Sequence, residues 1–313
     1  MHQEFSKAFE NRAFGCLIGL ACGDAVGTTV EFLPRERFKP LTDMVGGGKF
    51  KLDPGMWTDD TSMALCLAES LILKKGFDAN DQMQHYSLWL YEGHNSCLPH
   101  AFGVGKTILN ALFRYHKTGR PYSGRIESRF SGNGSLMRLA PIAIYYHDDK
   151  LQLDEYSALS SKTTHASLEC IQACQFFAKI LVNALYGKTK EELFLVEYSS
   201  ELEALSSIIN GNYKLKNADN IKSGGFVLDS LEAALWAFWH TDNFKDAILA
   251  AANLGDDADT TAAICGQLAG AYYGLEQIPS EWKNKLFRYK DILKISRCLL
   301  YTSLIKNNNN CLT

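Results

Sequence analysis

Gly255-Asp256-Asp257-Ala258-Asp259-Thr260-Thr261 runs directly into Ala262-Ala263-Ile264-Cys265-Gly266-Gln267-Leu268-Ala269-Gly270-Ala271-Tyr272-Tyr273-Gly274. The second half reads as a helix that is apolar almost all round, which places it inside the protein. Ala262, Gly266, Gly270 and Gly274 recur every four residues. They share one face, where a neighbouring backbone can come close. At the mouth of this buried helix stand Asp256, Asp257 and Asp259. One acid or hydroxyl there caps the helix and suits the positive end of its dipole. A third exceeds what capping needs, and buried charge requires a partner. No Lys or Arg lies between Lys245 and Lys283, so no basic partner is near in sequence. Protonation or a bound cation then remains. Asp257, Asp259 and Thr260 offer hard oxygen donors of the kind that hold Mg, Mn or Ca. From this stretch alone, capping and metal ligation both stay open.

The composition sets outer bounds. The chain has 313 residues, 46% hydrophobic and 21% charged, enough for a sizeable core in one large domain or two. Net charge is −3 and no basic patch interleaves with aromatics, so nucleic acid is not expected as the main partner. The nine cysteines are scattered with no Cys-x-x-Cys pair. That usage points to free thiols in a reducing compartment, and a cytoplasmic protein is expected. The apolar run 13–21 is too short to cross a bilayer. Glu4, Lys7, Glu10 and Arg12 precede it, so neither a signal peptide nor a membrane partner is expected.

Taken in order, residues 5–22 read as a helix with Gly15, Gly19 and Gly23 on a second small-residue face. It closes in Gly23-Asp24-Ala25-Val26-Gly27, followed by Glu31. Residues 33–56 form a loop, with Pro34, Pro40, Pro54 and the triplet Gly46-Gly47-Gly48. Trp57-Thr58-Asp59-Asp60-Thr61-Ser62-Met63 then repeats the opening pattern, acids and a hydroxyl before an apolar helix. If the two clusters meet in space, at least four carboxylates converge. That is too much charge to leave unpaired and is what a two-cation site needs.

Further helices are expected over 80–92 and 105–115. Between them, His100-Ala101-Phe102-Gly103-Val104-Gly105-Lys106-Thr107 is a poor phosphate loop, since the first glycine would fall at His100 and no strand precedes it. Glycines at a helix start still present N–H groups to an anion. Residues 117–131 are basic and loop-like. In Ser131-Gly132-Asn133-Gly134-Ser135-Leu136-Met137-Arg138, two glycines flank Asn133 just before a helical run, as a phosphate cradle or as a tight turn. Thr163-Thr164-His165-Ala166 is expected to cap a helix running to about residue 186. Helices are also expected over 191–209, 227–240 and 243–253, and a frayed tail from Asn307. With no alternating strands, repeat or linker, the architecture expected is one compact all-α domain over 1–306, with a disordered tail over 307–313.

Gly23-Asp24-Ala25 with Glu31, the 57–61 and 132–138 segments, Thr164-His165 and Leu254 to Thr261 together resemble the ADP-ribosylglycohydrolase family. Its best-known type reactivates dinitrogenase reductase by removing ADP-ribose. The resemblance runs in order from residue 12 to 275. It implies an all-α fold around two Mg or Mn ions, with Thr58, Asp59, Asp60, Asp257, Asp259 and Thr260 as ligands. It implies that Glu31 faces metals and substrate. It also implies that Phe102, Gly103, Val104, Gly105 and Lys106, with Ser131, Gly132, Asn133, Gly134 and Ser135, bind the diphosphate and distal ribose. His165 would line the cleft. The implied reaction hydrolyses the glycosidic bond between ADP-ribose and a modified protein or a small ADP-ribosyl compound. A carboxylate helps to deprotonate water there, and Glu31, Asp59, Asp60 and Asp259 are the candidates. Glu31, between a glycine-rich turn and a loop, is expected to move with substrate. A monomer is expected.

Two departures from the family pattern stand out. Asp256 replaces the glycine of the more usual Gly-Gly-Asp. Around Gly103 there is no acid of the kind expected to meet an arginine guanidinium, so the acceptor linkage stays open between arginine, serine and others. Two alternatives are an isoprenoid-synthase-like Mg-diphosphate enzyme and a catalytically silent ADP-ribose binder. Asp59-Asp60-Thr61-Ser62-Met63 lacks the second acid that the first needs. The second need not have kept six ligands.

Overall fold

Two helices that touch through their backbones set the architecture. In the computed structural model, which describes residues 5–309, α1 (Lys7–Gly27) and α11 (Ala258–Tyr273) run antiparallel through the centre. Every residue of α11 from Ala258 to Ala271 is buried, as is α1 from Ala13 to Gly27. Gly15, Gly19, Gly23 and Gly27 of α1 face Gly270, Gly266, Ala262 and Ala258. A methyl built on Gly19 would lie 2.2 Å from the Gly266 carbonyl oxygen. Both small-residue faces read from the sequence are thus spent on each other. Because the pair is antiparallel, the end of α1 lies beside the start of α11. The segments carrying Glu31 and Asp257 therefore meet.

The other helices are α2 (Asp59–Lys74), α3 (Ala79–Glu92), α4 (Lys106–Thr118), α5 (Ala140–Tyr145), α6 (Lys150–Lys162), α7 (Leu168–Leu185), α8 (Glu203–Ile209), α9 (Val227–Trp239), α10 (Phe244–Ala252), α12 (Ser280–Lys285) and α13 (Tyr289–Asn309). Among the described residues the only β pairing is four isolated bridges. Helices α7, α9 and α10 pack on α11, and α13 lies along α1 and α2. By length and composition α7 is apolar enough to cross a bilayer, yet 56% of it is buried inside the fold. It therefore serves here as a core helix.

Four sequence expectations need correction. Helix α1 continues to Gly27 rather than stopping at 22, because burial of Gly23 and Gly27 against α11 outweighs the poor helix propensity of glycine. Asp24 consequently lies inside a helix. Thr163-Thr164 does not cap the next long helix. An unexpected helix, α6, ends there, and Ser167 caps α7 by accepting from the Cys170 amide. Residues 191–209 are not one helix. A single 3₁₀ turn at Glu192–Phe194 gives way to extended chain before α8. In that chain Val196, Tyr198 and Leu202 pack on the core, while Tyr198 and Ser200 donate hydrogen bonds to Gln175 and Gln172 of α7. Their even spacing is the period of an extended strand, not of a helix. Finally, α13 runs to Asn309, so the expected tail is helical at 307–309. Its remainder, 310–313, lies outside the described residues.

Candidate active site

Asp24 organises the centre from within α1. Its Oδ1 accepts from the amide and hydroxyl of Thr58 at 2.9 and 2.8 Å. Its Oδ2 accepts from the amide and hydroxyl of Thr61 at 3.0 and 2.6 Å. Helix α2 is thus capped from another helix, and Thr58, at its N-cap, makes no side-chain cap bond of its own. Four hydrogen bonds use the lone pairs of the Asp24 carboxylate, so its role is to place Thr58, Asp59 and Asp60 against the start of α11. There Thr58 Oγ1 lies 3.2 Å from Asp259 Oδ2 and 3.4 Å from Asp60 Oδ2. Thr260 Oγ1 is 3.5 Å from the same Asp60 oxygen. Asp257 is reached from the other side by Asn133 Nδ2, at 2.6 Å from its Oδ2.

Glu31 follows α1 in a turn and is buried. That turn is stapled to the approach to α11. The Phe32 amide donates to Asp256 O at 2.7 Å and the Asp256 amide to Leu33 O at 2.8 Å. Both Phe32 and Asp256 have left-handed backbones, φ 67° and 54°. Arg35 completes the staple. Its guanidinium donates to three backbone carbonyls, Leu254 at 3.3 Å, Ile221 at 2.6 Å and Ala218. Arg35→Ala should therefore lower stability by about 1–3 kcal/mol, as expected when buried acceptors lose a charged donor. It should also reduce kcat/KM roughly tenfold or more through misplacement of Glu31. Arg35→Lys should recover little, since a single ammonium cannot reproduce the fork. Urea denaturation alongside steady-state rates checks this. Full activity in a destabilised Arg35→Ala protein would restrict Arg35 to a structural role.

The electrostatics are those of an unneutralised cluster. Burial, then the neighbouring carboxylates, push the acids of Asp59, Asp60 and Asp259 well above the usual range. Burial also raises Asp24 and Asp257. Glu31 is lifted to about 8, mainly by burial. None of these six joins an ion pair found among the described residues. Asp60 Oδ1 and Glu31 Oε2 are buried with no hydrogen-bond partner. Oxygens of Asp24, Asp60 and Asp259 lie within 4.8 Å of one another, and so do those of Glu31, Asp257 and Asp259. These two oxygen-only groups share Asp259, and each includes a residue with an orphaned oxygen, Asp60 in the first and Glu31 in the second; such donors fit hard divalent cations.

Above the cluster lies a groove of about 720 Å³. Glu31, Asp59, Asp257, Asp259 and Thr260 line its floor, and Gly103 to Lys106, Gly132 to Gly134 and His165 line its walls. The stretches expected from sequence therefore do converge. Gly103, at φ 73°, takes a left-handed backbone that favours glycine, and a methyl on it would sit 2.6 Å from Asp59 Oδ1, so a side chain there would press on the cluster. Ser131 and Ser135 turn away from the groove. Ser131 Oγ donates to Ser167 Oγ, and Ser135 Oγ accepts from Ser161 Oγ, both at 2.8 Å. Phe102 packs edge-on against Phe50. The amides of Gly132 and Asn133 are spent on Phe130 O and Gly225 O. His165 stands beside them. Thr164 Oγ1 accepts from Arg138 Nη2 at 2.7 Å and shares a hydrogen bond with His165 Nδ1 at 2.8 Å. His165 Nε2 then lies beside Gly132 and Gly134. Burial and Arg138 hold this ring neutral, with its pKa pulled down to about 3.

Asp256 is exposed at the edge of the groove, and its backbone pairs with Phe32 and Leu33. Sequence reasoning assigned no role to Asp24, Phe32, Lys49, Gly224 or Gly225, although the last four also line the groove. The Gly224-Gly225 pair was the one visible signal.

A helical protein with buried carboxylates beneath a groove walled by glycine turns has the donors to take a cation together with an anionic ligand. The sequence model of the ADP-ribosylglycohydrolase family matches residues 6–309, and the chain belongs to that family. It is accordingly an ADP-ribosyl hydrolase, and the isoprenoid-synthase alternative falls away. It is 45% identical to "ADP-ribosylarginine hydrolase Tri1" of Serratia proteamaculans, over 93% of this chain and 79% of that protein. It is 32% identical to "ADP-ribosyl-[dinitrogen reductase] glycohydrolase" of Rhodospirillum rubrum, over 88% and 90%. A solved structure titled "ADP-ribosylglycohydrolase-related protein complex" superposes with a TM-score of 0.85 at 39% identity, covering 95% of this chain and all of that one.

Proposed function

We propose that this chain releases ADP-ribose from ADP-ribosylated arginine of a protein, using two Mg or Mn ions. The observation that carries this is the convergence of Glu31, Asp59, Asp60, Asp257 and Asp259 beneath one groove. Arginine as acceptor is supported by the names of the Serratia proteamaculans relative and of a 46% identical Pseudomonas putida relative, also "ADP-ribosylarginine hydrolase Tri1". The eight described cysteines are all free, which supports a reducing, cytoplasmic setting.

Thr58, Asp60, Asp257, Asp259 and Thr260 would hold the ions, with Asp59 at the groove face. Such ions lower the pKa of a bound water and grip ribose hydroxyls. Lys106, at the start of α4, lines the groove as a donor for a diphosphate, and the neutral His165 ring lines the glycine turn at Gly132 and Gly134. Glu31 lines the same groove beside Asp257 and Asp259. It takes the proton of the attacking water as the bond from water oxygen to the anomeric carbon forms. The carbon–nitrogen bond breaks, its electron pair goes to the guanidine nitrogen, and that nitrogen takes up the proton that Glu31 removed from water, so arginine leaves as its cation.

The test is release of free ADP-ribose from arginine-linked and serine-linked ADP-ribosyl peptides with Mg, with Mn and with EDTA. Release from the arginine-linked peptide that EDTA abolishes is expected. ADP-ribose binding without release from either peptide would turn the reading to the silent binder, and release preferring serine would overturn the acceptor.

A further inference from the structure

Phe32 is placed where folding alone would not put an aromatic ring. It sits in the turn after Glu31 with φ 67°, a region that bulky residues rarely adopt. Its ring is 54% exposed. Glycine or asparagine suits this backbone better, and a polar side chain suits this surface better. Residues held in such backbone regions cluster at functional sites.

What the ring faces shows its use. Lys49 Nζ lies 4.1 Å from the Phe32 centroid and 5.8 Å from that of Phe50. Phe50 in turn meets Phe102 edge-on at 5.1 Å. Phe32 and Lys49 line the same groove as Asp59, Asp257 and Asp259. The mouth of the groove thus holds an aromatic face already carrying a cation. That cation belongs to an exposed side chain on a flexible stem, just after Gly46-Gly47-Gly48.

We propose that Phe32 is the acceptor subsite: its ring takes the guanidinium of the modified arginine at the position where the Lys49 ammonium rests. The proposal builds on the ADP-ribosylarginine reading above and adds the group that recognises the arginine. Glu31 and Phe32 are consecutive and line one groove with Asp257 and Asp259, so the ring stands in the wall next to the carboxylates that would hold the ribose. A guanidinium is planar, weakly hydrated and stacks on aromatic faces. A serine oxygen gains nothing from the same face. Lys49 swings aside into solvent, and Asp256, whose backbone pairs with Phe32, leaves a carboxylate at the same rim.

The test compares Phe32→Ala, Phe32→Leu and Phe32→Tyr with wild type. Two quantities are read: KM for an arginine-linked ADP-ribosyl peptide, and Kd for ADP-ribose, which has no acceptor. A contact made equally in ground and transition states moves KM rather than kcat. For Phe32→Ala and Phe32→Leu, KM is expected to rise about tenfold, with kcat and the ADP-ribose Kd within about twofold of wild type. Phe32→Tyr keeps the aromatic face and should retain the wild-type KM. An unchanged KM in Phe32→Ala and Phe32→Leu overturns the proposal. So does a parallel loss of ADP-ribose affinity, which would make Phe32 a general wall of the groove. Wild-type protein that releases nothing from the arginine-linked peptide overturns the proposed function itself, a failure visible before any variant is made.

Discussion

Gly266→Ala is expected to lower stability by roughly 3 kcal/mol or more and to remove most activity with it. The added methyl would lie 2.1 Å from the Gly19 carbonyl oxygen and 2.7 Å from its carbon. Both are backbone atoms of a helix buried along this stretch, so no side chain can move aside. Alanine gains about 1 kcal/mol of helix propensity over glycine. Overpacking a core costs about 1–3 kcal/mol and sometimes more, and here the clash can be relieved only by parting α1 from α11. That separation also moves Asp24 away from Thr58 and Asp259 away from Glu31, so the carboxylate cluster disperses. Gly224→Ala is the stability control, because a methyl there meets nothing within 4 Å. Urea denaturation and ADP-ribose release measured on both variants decide the matter. A Gly266→Ala protein as stable as wild type would mean that α1 and α11 do not touch through their backbones.

The same contact explains which parts of the molecule were legible in the sequence. A helix apolar all round, with small residues every four positions, has to be buried against another backbone, and Gly15, Gly19 and Gly23 supplied the matching face. The antiparallel pairing then brings Glu31 to Asp257 and Asp259, so two acidic clusters far apart in sequence meet as charge arithmetic suggested. What stayed hidden depends on tertiary partners. Asp24 gives no signal as the cap of α2, because the amides it satisfies belong to Thr58 and Thr61 on another helix. Residues 195–202 carry helix-forming Leu and Glu but stay extended, because their alternate side chains pack on the core and bond to α7. The left-handed turn at Phe32 depends on pairing with Asp256, and no local pattern announces it.

Asp259→Asn is expected to cut ADP-ribose release roughly a thousandfold or more while making the metal-free protein more stable. Asp259 belongs to both oxygen groups of the cluster, so neutralising it disturbs both. The stability gain follows from proton linkage. Burial and the neighbouring acids raise Asp59, Asp60 and Asp259 above their unfolded values, near 4, and Glu31 rises to about 8. A carboxyl with a raised folded pKa binds its proton more tightly in the folded state. Its contribution is present below the unfolded pKa and is lost as pH rises through the folded one. Metal-free wild type should therefore lose thermal stability from about pH 4 towards pH 8, and Asp259→Asn should lose less. A divalent cation acts in the opposite sense by binding the folded form. In wild type it should restore Tm at pH 8, and in Asp259→Asn that shift should shrink. Melting curves at pH 5 and pH 8, with EDTA and with Mg or Mn, read all of these. A helix cap behaves otherwise, since replacing an acid at the positive end of a helix dipole by a neutral amide removes a favourable interaction. Stability that rises while turnover collapses therefore marks a cation site, and stability that falls with the metal response intact marks a cap.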